Sequence, residues 1–316
     1  MPRVVLRVLS RIALSVPTVL VVSVFIFAVM HAGVVDPAVL LAGDQATDAD
    51  IAAIRAQLGL GASLPAQYLR WAGLVLTGDF GRSLYTGRPV VQAIAAAAEP
   101  TALIGIGTTV LAALFGAGFG IAAGMRRGSW ADRALMSGSV IGFSVPVFVL
   151  GYLLMLLFSL KLRWLPVQGF VPLAQNPAAA LRSVTLPILA LTPVYLSLVA
   201  RIARASGLEV MRSDFVRAAL AKGLSPWRIT TAYVLLNSLL PIVTAVGAGL
   251  ALLIGGAVVT ETVFSIPGLG RLLVDAVLRR DYPIIQGVIL VLSVLYILVN
   301  LGVDLLYLVI DPRLRA

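Results

Sequence analysis

Side chains suited to covalent or metal chemistry are scarce in this sequence. Its 316 residues include no cysteine and one histidine, His31, which excludes disulfides, thiolate metal sites and clusters of histidine ligands. A phosphate-binding loop of the GxxxxGK type needs serine or threonine after its lysine, but Lys161 precedes leucine and Lys222 precedes glycine. We therefore predict that the chain is not an enzyme and itself binds neither a metal nor a cofactor.

The most informative stretch for function is Ser213–Arg228, SDFVRAALAKGLSPWR, which interrupts an apolar region with charged residues. Ser213 or Asp214 can cap the start of a helix through a side-chain oxygen. Phe215–Lys222 is rich in strong helix formers, and Gly223 suits the left-handed position just after a helix end. The first half of the stretch therefore predicts a short helix that ends in a tight turn.

The second half begins another helix, because Ser225 followed by Pro226 is typical of an N-cap and first helical position. In the first helix, the small side chains of Ala218 and Ala219 would let the backbone of another protein approach closely. This spacing favours docking to a partner. The alternative is a basic amphipathic helix that lies flat on the bilayer surface. The apolar face is predicted to contain Leu208, Met211, Phe215 and Ala219.

The composition indicates a membrane protein. Hydrophobic residues make up 60% of the chain and charged residues 12%, with a mean hydropathy of +1.02, whereas a soluble domain has about 25% charged residues. Backbone groups inside a bilayer must bond to each other, so each apolar run of spanning length must be a helix. We predict an all-α polytopic protein with six transmembrane helices, at Ile12–His31, Thr101–Gly124, Ala134–Leu160, Thr185–Ala205, Leu239–Thr262 and Ile284–Leu308.

The net charge of +10 is explained by membrane topology rather than by nucleic-acid binding, because a basic stripe on a soluble domain is missing. Basic residues are enriched on the cytoplasmic side of membrane proteins. The predicted spans place most of the basic residues on one side, so we expect both termini to be cytoplasmic. The first apolar run exceeds the usual 7–15 residues of a signal-peptide core, and we expect it to remain as a span.

The segment after the first predicted span contains a helical pattern. The pattern DADIAAIRAQL at Asp48–Leu58, with Thr47 or Asp48 as its cap, predicts a short helix outside the membrane. The predicted spans divide the chain into four parts. These are the N-terminus with the first span (1–31), an external helical segment (32–99), a five-helix core that includes a cytoplasmic loop (100–308, with the loop at 206–236) and a cytoplasmic tail (309–316).

Several segments resemble the permease subunits of bacterial ABC importers. Arg217-Ala218-Ala219, three further residues and Gly223 match the spacing of the family's EAA loop, although arginine replaces the glutamate of that motif. Leu235–Thr244 resembles the family's junction between this loop and the next span. Further segments resemble the dipeptide/oligopeptide branch, at Leu58–Leu60, Gly78–Leu84, Thr260–Gly287 and Asp311–Arg315. The chain departs from that branch at Gly33–Pro37, where GVVDP replaces Pro-Gly-Asp-Pro.

This resemblance implies a type I permease fold in the bacterial plasma membrane and uptake of di- or oligopeptides by alternating access. The implied partners are a second homologous permease subunit, two ATP-binding cassette subunits that hold ATP and magnesium, an external solute-binding protein and membrane lipid. The short cytoplasmic helix would be the coupling helix, which docks into the ATPase. The residues implied in coupling are Asp214, Arg217, Ala218, Ala219, Lys222, Gly223, Ser225 and Pro226.

Three alternatives stay open at this point. The same machinery could carry glutathione, nickel chelates or sugars. An ion-driven secondary transporter would need acids or histidines in mid-span as a proton relay, and we identify none in the sequence. A membrane scaffold or receptor that transports nothing is the third alternative.

Candidates for an external mouth lie near the end of the fifth span. Glu261 either pairs with an arginine such as Arg271 to fix the following loop or shapes the mouth where cargo is delivered. The SIPGLG segment, Ser265–Gly270, is either a turn that dips toward the pathway or a plain loop. The candidate residues are Glu261, Ser265, Pro267, Gly268 and Asp281.

Overall fold

The computed structural model describes residues 2–31, 38–39 and 46–310. Within those ranges the elements are helices, and the β pairing recorded there is an isolated bridge between Arg82 and Pro89, which confirms the all-α prediction. The departure at Gly33–Pro37 and the terminal DPRLR segment lie outside the described residues.

The helices fall into long and short groups. The long helices are α1 (Pro2–His31), α4 (Val90–Met125), α7 (Pro177–Met211), α10 (Leu236–Val263) and α12 (Tyr282–Ile310). The short helices are α2 (Asp48–Leu58), α3 (Leu64–Leu76), α5 (Trp130–Ser144), α6 (Val147–Leu154), α8 (Asp214–Ala221), α9 (Pro226–Arg228) and α11 (Leu269–Arg279). Two π-helical segments, Met155–Lys161 and Ile229–Leu235, continue α6 and precede α10.

Length and apolar composition identify the helices that can cross a bilayer. Four described stretches qualify, at Val90–Met125, Pro177–Met211, Pro226–Leu250 and Tyr282–Tyr307. A bent pair, Trp130–Ser144 with Val147–Lys161, makes a fifth if it counts as one span, and α1 adds a shorter apolar stretch at Ala13–Val29. Together these stretches are consistent with the six predicted spans.

The third predicted span is broken rather than continuous. The chain bends by 98° between α5 and α6. Pro146 forms the N-cap of α6, and Val145 before it is extended, with φ −79° and ψ 121°. A residue before proline is disfavoured in the helical region, which explains why α5 ends here. By contrast, Pro187 and Pro193 lie inside α7, which continues through both.

One compact part of the chain is built around Ala98–Arg271, and α7 is its central helix. This helix packs against α5, α6 and α10. The side chains that fill the interior come from α4, α7, α10, the π-helical segment after α6 and the loop after α10. The buried cluster includes Ile104, Met155, Leu186, Leu191, Tyr195, Leu253, Phe264 and Ile266.

Glycines bring α4 into backbone contact with α7. A Cβ added to Gly120 would lie 2.4 Å from the carbonyl oxygen of Ala200, and one added to Gly124 would lie 2.9 Å from the carbonyl oxygen of Arg204. Gly118, on the same helix, has nothing within 4 Å of the corresponding position. Small residues at such spacing let transmembrane helices approach closely, so the α4–α7 contact depends on these glycines.

The other compact part contains Arg11–Ala97 and Leu272–Leu295. In it, Thr47 caps α2 as expected: its hydroxyl accepts from the Asp50 amide at 3.3 Å. The hydroxyl also donates to the Asp50 carboxylate at 2.6 Å, and this bond, with a second from the Thr47 amide, lowers the pKa of Asp50. The start of α2 is therefore as predicted, and Thr47 is the cap of the two residues that the sequence offered.

Candidate functional site

The predicted coupling helix forms as α8 and ends where the glycine predicted. Gly223 has φ +74°, the left-handed conformation that glycine adopts without a steric penalty. The start differs in detail, because the Ser213 hydroxyl donates to the carbonyl oxygen of Val210 at 2.6 Å and makes no side-chain cap to α8. The Ser213 carbonyl instead accepts from the Arg217 amide at 3.2 Å.

The inner face of α8 anchors it to the long helices. Val216 is fully buried and Ala219 is 4% exposed. Val216 belongs to a cluster with Ile121 of α4 and with Val199 and Ala203 of α7. Displacement of α8 would therefore act directly on the packing of two long helices.

The apolar face predicted from Leu208, Met211, Phe215 and Ala219 is wrong. Leu208 and Met211 belong to α7, which ends at Met211, and the chain turns before α8 begins. Phe215 is 46% exposed and stacks on Tyr233, with 6.5 Å between ring centroids. The small side chain of Ala219 faces the interior of its own chain, so its size serves internal packing.

The outer face of α8 carries the charged candidates. Asp214, Arg217, Ala218 and Lys222 are all exposed. Arg217 and Asp214 form an ion pair in which the side chains are 70% and 92% exposed. Such exposed pairs add little stability, so these side chains have no strong internal role.

The second helix of this hairpin starts as the sequence predicted. The Ser225 hydroxyl accepts from the Arg228 amide at 3.4 Å, and Pro226 occupies the first position of α9. Trp227 is 76% exposed, whereas Ile229 at the start of the π-helical segment is buried. The structure therefore brings all eight coupling candidates together in one hairpin, Asp214–Arg228, which we call the coupling hairpin.

Glu261 is fully buried near the end of α10 and binds the start of α11. Its carboxylate accepts from the Thr101 hydroxyl at 2.6 Å and from the Arg271 amide at 3.0 Å. Thr101 in turn accepts from the Leu269 amide at 2.8 Å. The first amides of a helix have no partner inside the helix and favour a negative charge, so Glu261 and Thr101 together cap α11.

The segment between α10 and α11 is packed around this carboxylate. A Cβ added to Gly268 would lie 2.2 Å from the Glu261 carboxyl carbon. Ser265 has φ +51°, while Ile266 is fully buried and its amide donates to the Glu261 carbonyl at 2.8 Å. Pro267 is exposed. We call Glu261–Arg271 the capping loop, and its geometry matches the alternative in which Glu261 fixes the following loop, here through the Arg271 amide.

Asp281 holds a different loop. It is 5% exposed and accepts from the Ser83 hydroxyl at 2.5 Å and the Leu84 amide at 3.1 Å. Nearby, the Arg279 guanidinium lies 4.3 Å from the centre of the Tyr85 ring. These contacts attach the GDFGRSL segment to the turn between α11 and α12.

Sequence reasoning missed an ion pair between α5 and α7. Arg204 donates to both carboxylate oxygens of Asp132, at 2.5 and 2.8 Å, and the Asp132 side chain is 5% exposed. Arg204 also lines a cavity of about 400 Å³ with Arg127 and Arg212. The sequence did not indicate this ion pair, because its two residues lie 72 positions apart.

The described residues offer no metal site, since no group of three or more His, Asp or Glu side chains among them could hold an ion.

Comparison with known proteins adds a family and close relatives. Residues 116–316 match the family model described as "Binding-protein-dependent transport system inner membrane component", and residues 3–96 match its N-terminal companion. The chain is 45% identical to a "Probable peptide ABC transporter permease protein" of Sinorhizobium fredii over 98% of both chains. It is 43% identical to a "Glutathione transport system permease protein" of Salmonella paratyphi A, again over 98% of both chains.

Proposed function

Because this chain belongs to the family of inner membrane components of binding-protein-dependent transport systems, we propose that it conducts di- or oligopeptides into the cell. The family makes it a multi-pass permease subunit that does not hydrolyse ATP and that works with an ATPase and a solute-binding protein. An ion-driven secondary transporter is not favoured by this membership. The peptide cargo is supported by the Sinorhizobium fredii relative, which is 45% identical over nearly the whole chain.

The coupling hairpin is the element through which the ATPase would act. The observation that carries this proposal is the two-sided character of α8: Val216 is buried against α4 and α7, while Arg217 and Ala218 are exposed. A partner that binds the exposed side of α8 can therefore displace α8 and, through its buried side, α4 and α7. Driving a two-state equilibrium from 1:99 to 99:1 takes about 5.5 kcal/mol, which the ATPase would supply through this contact.

The complete machine in this proposal pairs the chain with a second, homologous permease subunit and two ATPase subunits. ATP and magnesium would bind to the ATPases, and both termini of this chain would face the cytoplasm together with the coupling hairpin. The concentration of arginines around that hairpin supports this orientation.

Cross-linking tests the docking role directly, and the chain suits it because it has no cysteine of its own. We expect Ala218→Cys in the assembled transporter to cross-link to a cysteine in the ATPase groove. Val140→Cys, on a 62% exposed side chain of α5, is the control and should not react. Failure of Ala218→Cys to cross-link to any of several cysteines placed along the ATPase surface, with an active ATPase present, would contradict the docking role.

Glutathione is the second candidate cargo, because a relative named for glutathione transport is 43% identical over 98% of both chains. Uptake into vesicles containing the complete transporter separates the two. We expect ATP-dependent uptake of a labelled dipeptide that excess unlabelled peptide suppresses. Uptake of labelled glutathione with no dipeptide uptake would select glutathione, and uptake of neither would reject both cargoes.

A further inference from the structure

Helix α3 presents an apolar face that the described part of the chain leaves exposed. The helix has 13 residues, which is too short to cross about 30 Å of hydrocarbon. Leu69 is 69% exposed and Leu76 is 88% exposed. Pro65 and Gly73 lie on the same side at helical spacing and are also exposed.

The opposite face of α3 packs on α1. The hydroxyls of Tyr68 and Ser23 are 2.9 Å apart and share a hydrogen bond. The rings of Tyr68 and Trp71 lie 5.5 and 6.0 Å from the ring of Phe27. These contacts fix the level at which α3 meets α1.

That level lies inside the apolar part of α1. The apolar stretch of α1 runs to Val29, and Ser23 precedes it by six residues, or about 9 Å at the rise of an α-helix. At the same level, Val21, Val24 and Phe25 of α1 are 67%, 43% and 67% exposed. Exposed apolar side chains on a helix of a membrane protein are suited to contact with lipid, and the exposed apolar side chains of α3 lie on a helix that packs on α1 at the same level.

The two strongly polar side chains of α3 both reach back toward the loop after α2. The Gln67 amide donates to the carbonyl oxygens of Leu60 and Ala62, at 3.1 and 2.8 Å. The Arg70 guanidinium lies beside Gly59, where an added Cβ would be 2.5 Å from it. Long polar side chains extend toward polar groups in this way when their apolar stems lie in an apolar environment.

We propose that α3 is embedded in the leaflet at the C-terminal end of α1, with Leu69 and Leu76 among the lipid acyl chains. The segment after α1 is then in part a membrane element rather than a collar above the surface. Tyr68 and Trp71 suit this depth, since both residue types are enriched where hydrocarbon meets water. This inference does not depend on the cargo or on the coupling role.

The absence of cysteines allows single spin labels to measure this depth. Leu69→Cys and Leu76→Cys are labelled in the complete transporter in lipid nanodiscs, and collisions with oxygen and with a water-soluble nickel chelate are recorded. Val21→Cys, on the exposed side of α1, is the lipid reference. Ala53→Cys, on the exposed side of the polar helix α2, is the water reference.

We expect both α3 labels to resemble Val21→Cys, with oxygen collisions several-fold more frequent than nickel collisions relative to Ala53→Cys. Nickel access equal to that of Ala53→Cys would overturn the proposal in favour of an aqueous collar. Exclusion of both reagents would overturn it in favour of a protein partner on this face. ATP-driven uptake, measured on the same samples, reports separately on the transport function.

Discussion

The coupling hairpin and the capping loop flank the same helix, α10, and each places an acidic residue beside the start of a helix. Asp214 begins α8 and is 92% exposed, with an exposed arginine as its partner. Glu261 is fully buried and accepts hydrogen bonds from Thr101 and from an amide at the start of α11. The difference indicates that the Glu261 carboxylate maintains the fold, whereas the Asp214 carboxylate contributes little to it.

Of the substitutions that test this difference, Glu261→Ala is expected to lower the stability of the protein the most. Removal of the carboxylate deletes the hydrogen bonds that it accepts from the Thr101 hydroxyl and the Arg271 amide, and the loss of buried hydrogen bonds to a charged group is costly. We expect a loss of about 3 kcal/mol in the free energy of unfolding of the purified protein. Thermal unfolding in detergent measures the change.

Two variants serve as controls for that measurement. Glu261→Gln keeps one acceptor oxygen and should lose clearly less stability than Glu261→Ala. Asp214→Ala should leave the unfolding temperature unchanged, because the side chain is exposed. Equal losses for Glu261→Ala and Asp214→Ala would remove the distinction between the two regions.

The next largest effects on stability are expected when a glycine of each region is replaced by alanine. Gly268→Ala places a methyl group 2.2 Å from the buried carboxyl carbon of Glu261, and we expect a loss of about 2 kcal/mol from overpacking. Gly223→Ala meets no atom within 4 Å but must adopt φ +74°, which costs about 1 kcal/mol. Thermal unfolding of both variants gives the ranking, and a larger loss for Gly223→Ala would reverse our assignment.

Val216→Ala tests the connection between the exposed and buried sides of α8. The substitution removes two buried carbon atoms, so we expect a loss of about 1.5 kcal/mol. We also expect fewer substrate molecules imported per ATP hydrolysed, because α8 is no longer held firmly against α7. Phe215→Ala, on a side chain that is 46% exposed, is the control for stability. An unchanged ratio of uptake to hydrolysis in Val216→Ala would show that this anchor does not transmit force.

The smallest effect on folding is expected for Arg217→Ala. Its ion pair with Asp214 is exposed, so its removal should leave the unfolding temperature of the purified chain unchanged. In the complete transporter we expect weaker stimulation of ATP hydrolysis by the loaded solute-binding protein. A drop in stability without any change in ATPase stimulation would mean that Arg217 serves the fold.

Local patterns in the sequence predicted much of the coupling hairpin. Gly223 and the Ser225-Pro226 pair act through their own backbone conformations, which need no distant partner, and the structure places them as expected. The apolar composition likewise identified the long helices, because a bilayer imposes the same requirement on every span. The coupling role and the membrane orientation stay predictions.

Features that depend on distant partners could not be predicted in this way. Thr101 and Glu261 are 160 residues apart, and nothing in either segment indicates the other. The inward orientation of Ala219 follows from the turn after α7, which shifts the helical phase between α7 and α8. Helix α5 ends just before Pro146, yet Pro187 and Pro193 lie inside an unbroken helix. The presence of a proline alone therefore does not predict where a span is interrupted.

The glycine contacts between α4 and α7 constrain how this part of the molecule can move. The Gly120 Cβ position lies only 2.4 Å from a carbonyl oxygen of α7, so the two backbones are in direct contact there and have little room to slide past each other. A displacement of α8 would therefore tilt α4 and α7 together, as one rigid unit. The pivots would be places where helical continuity is already lost, such as the corner between α5 and α6.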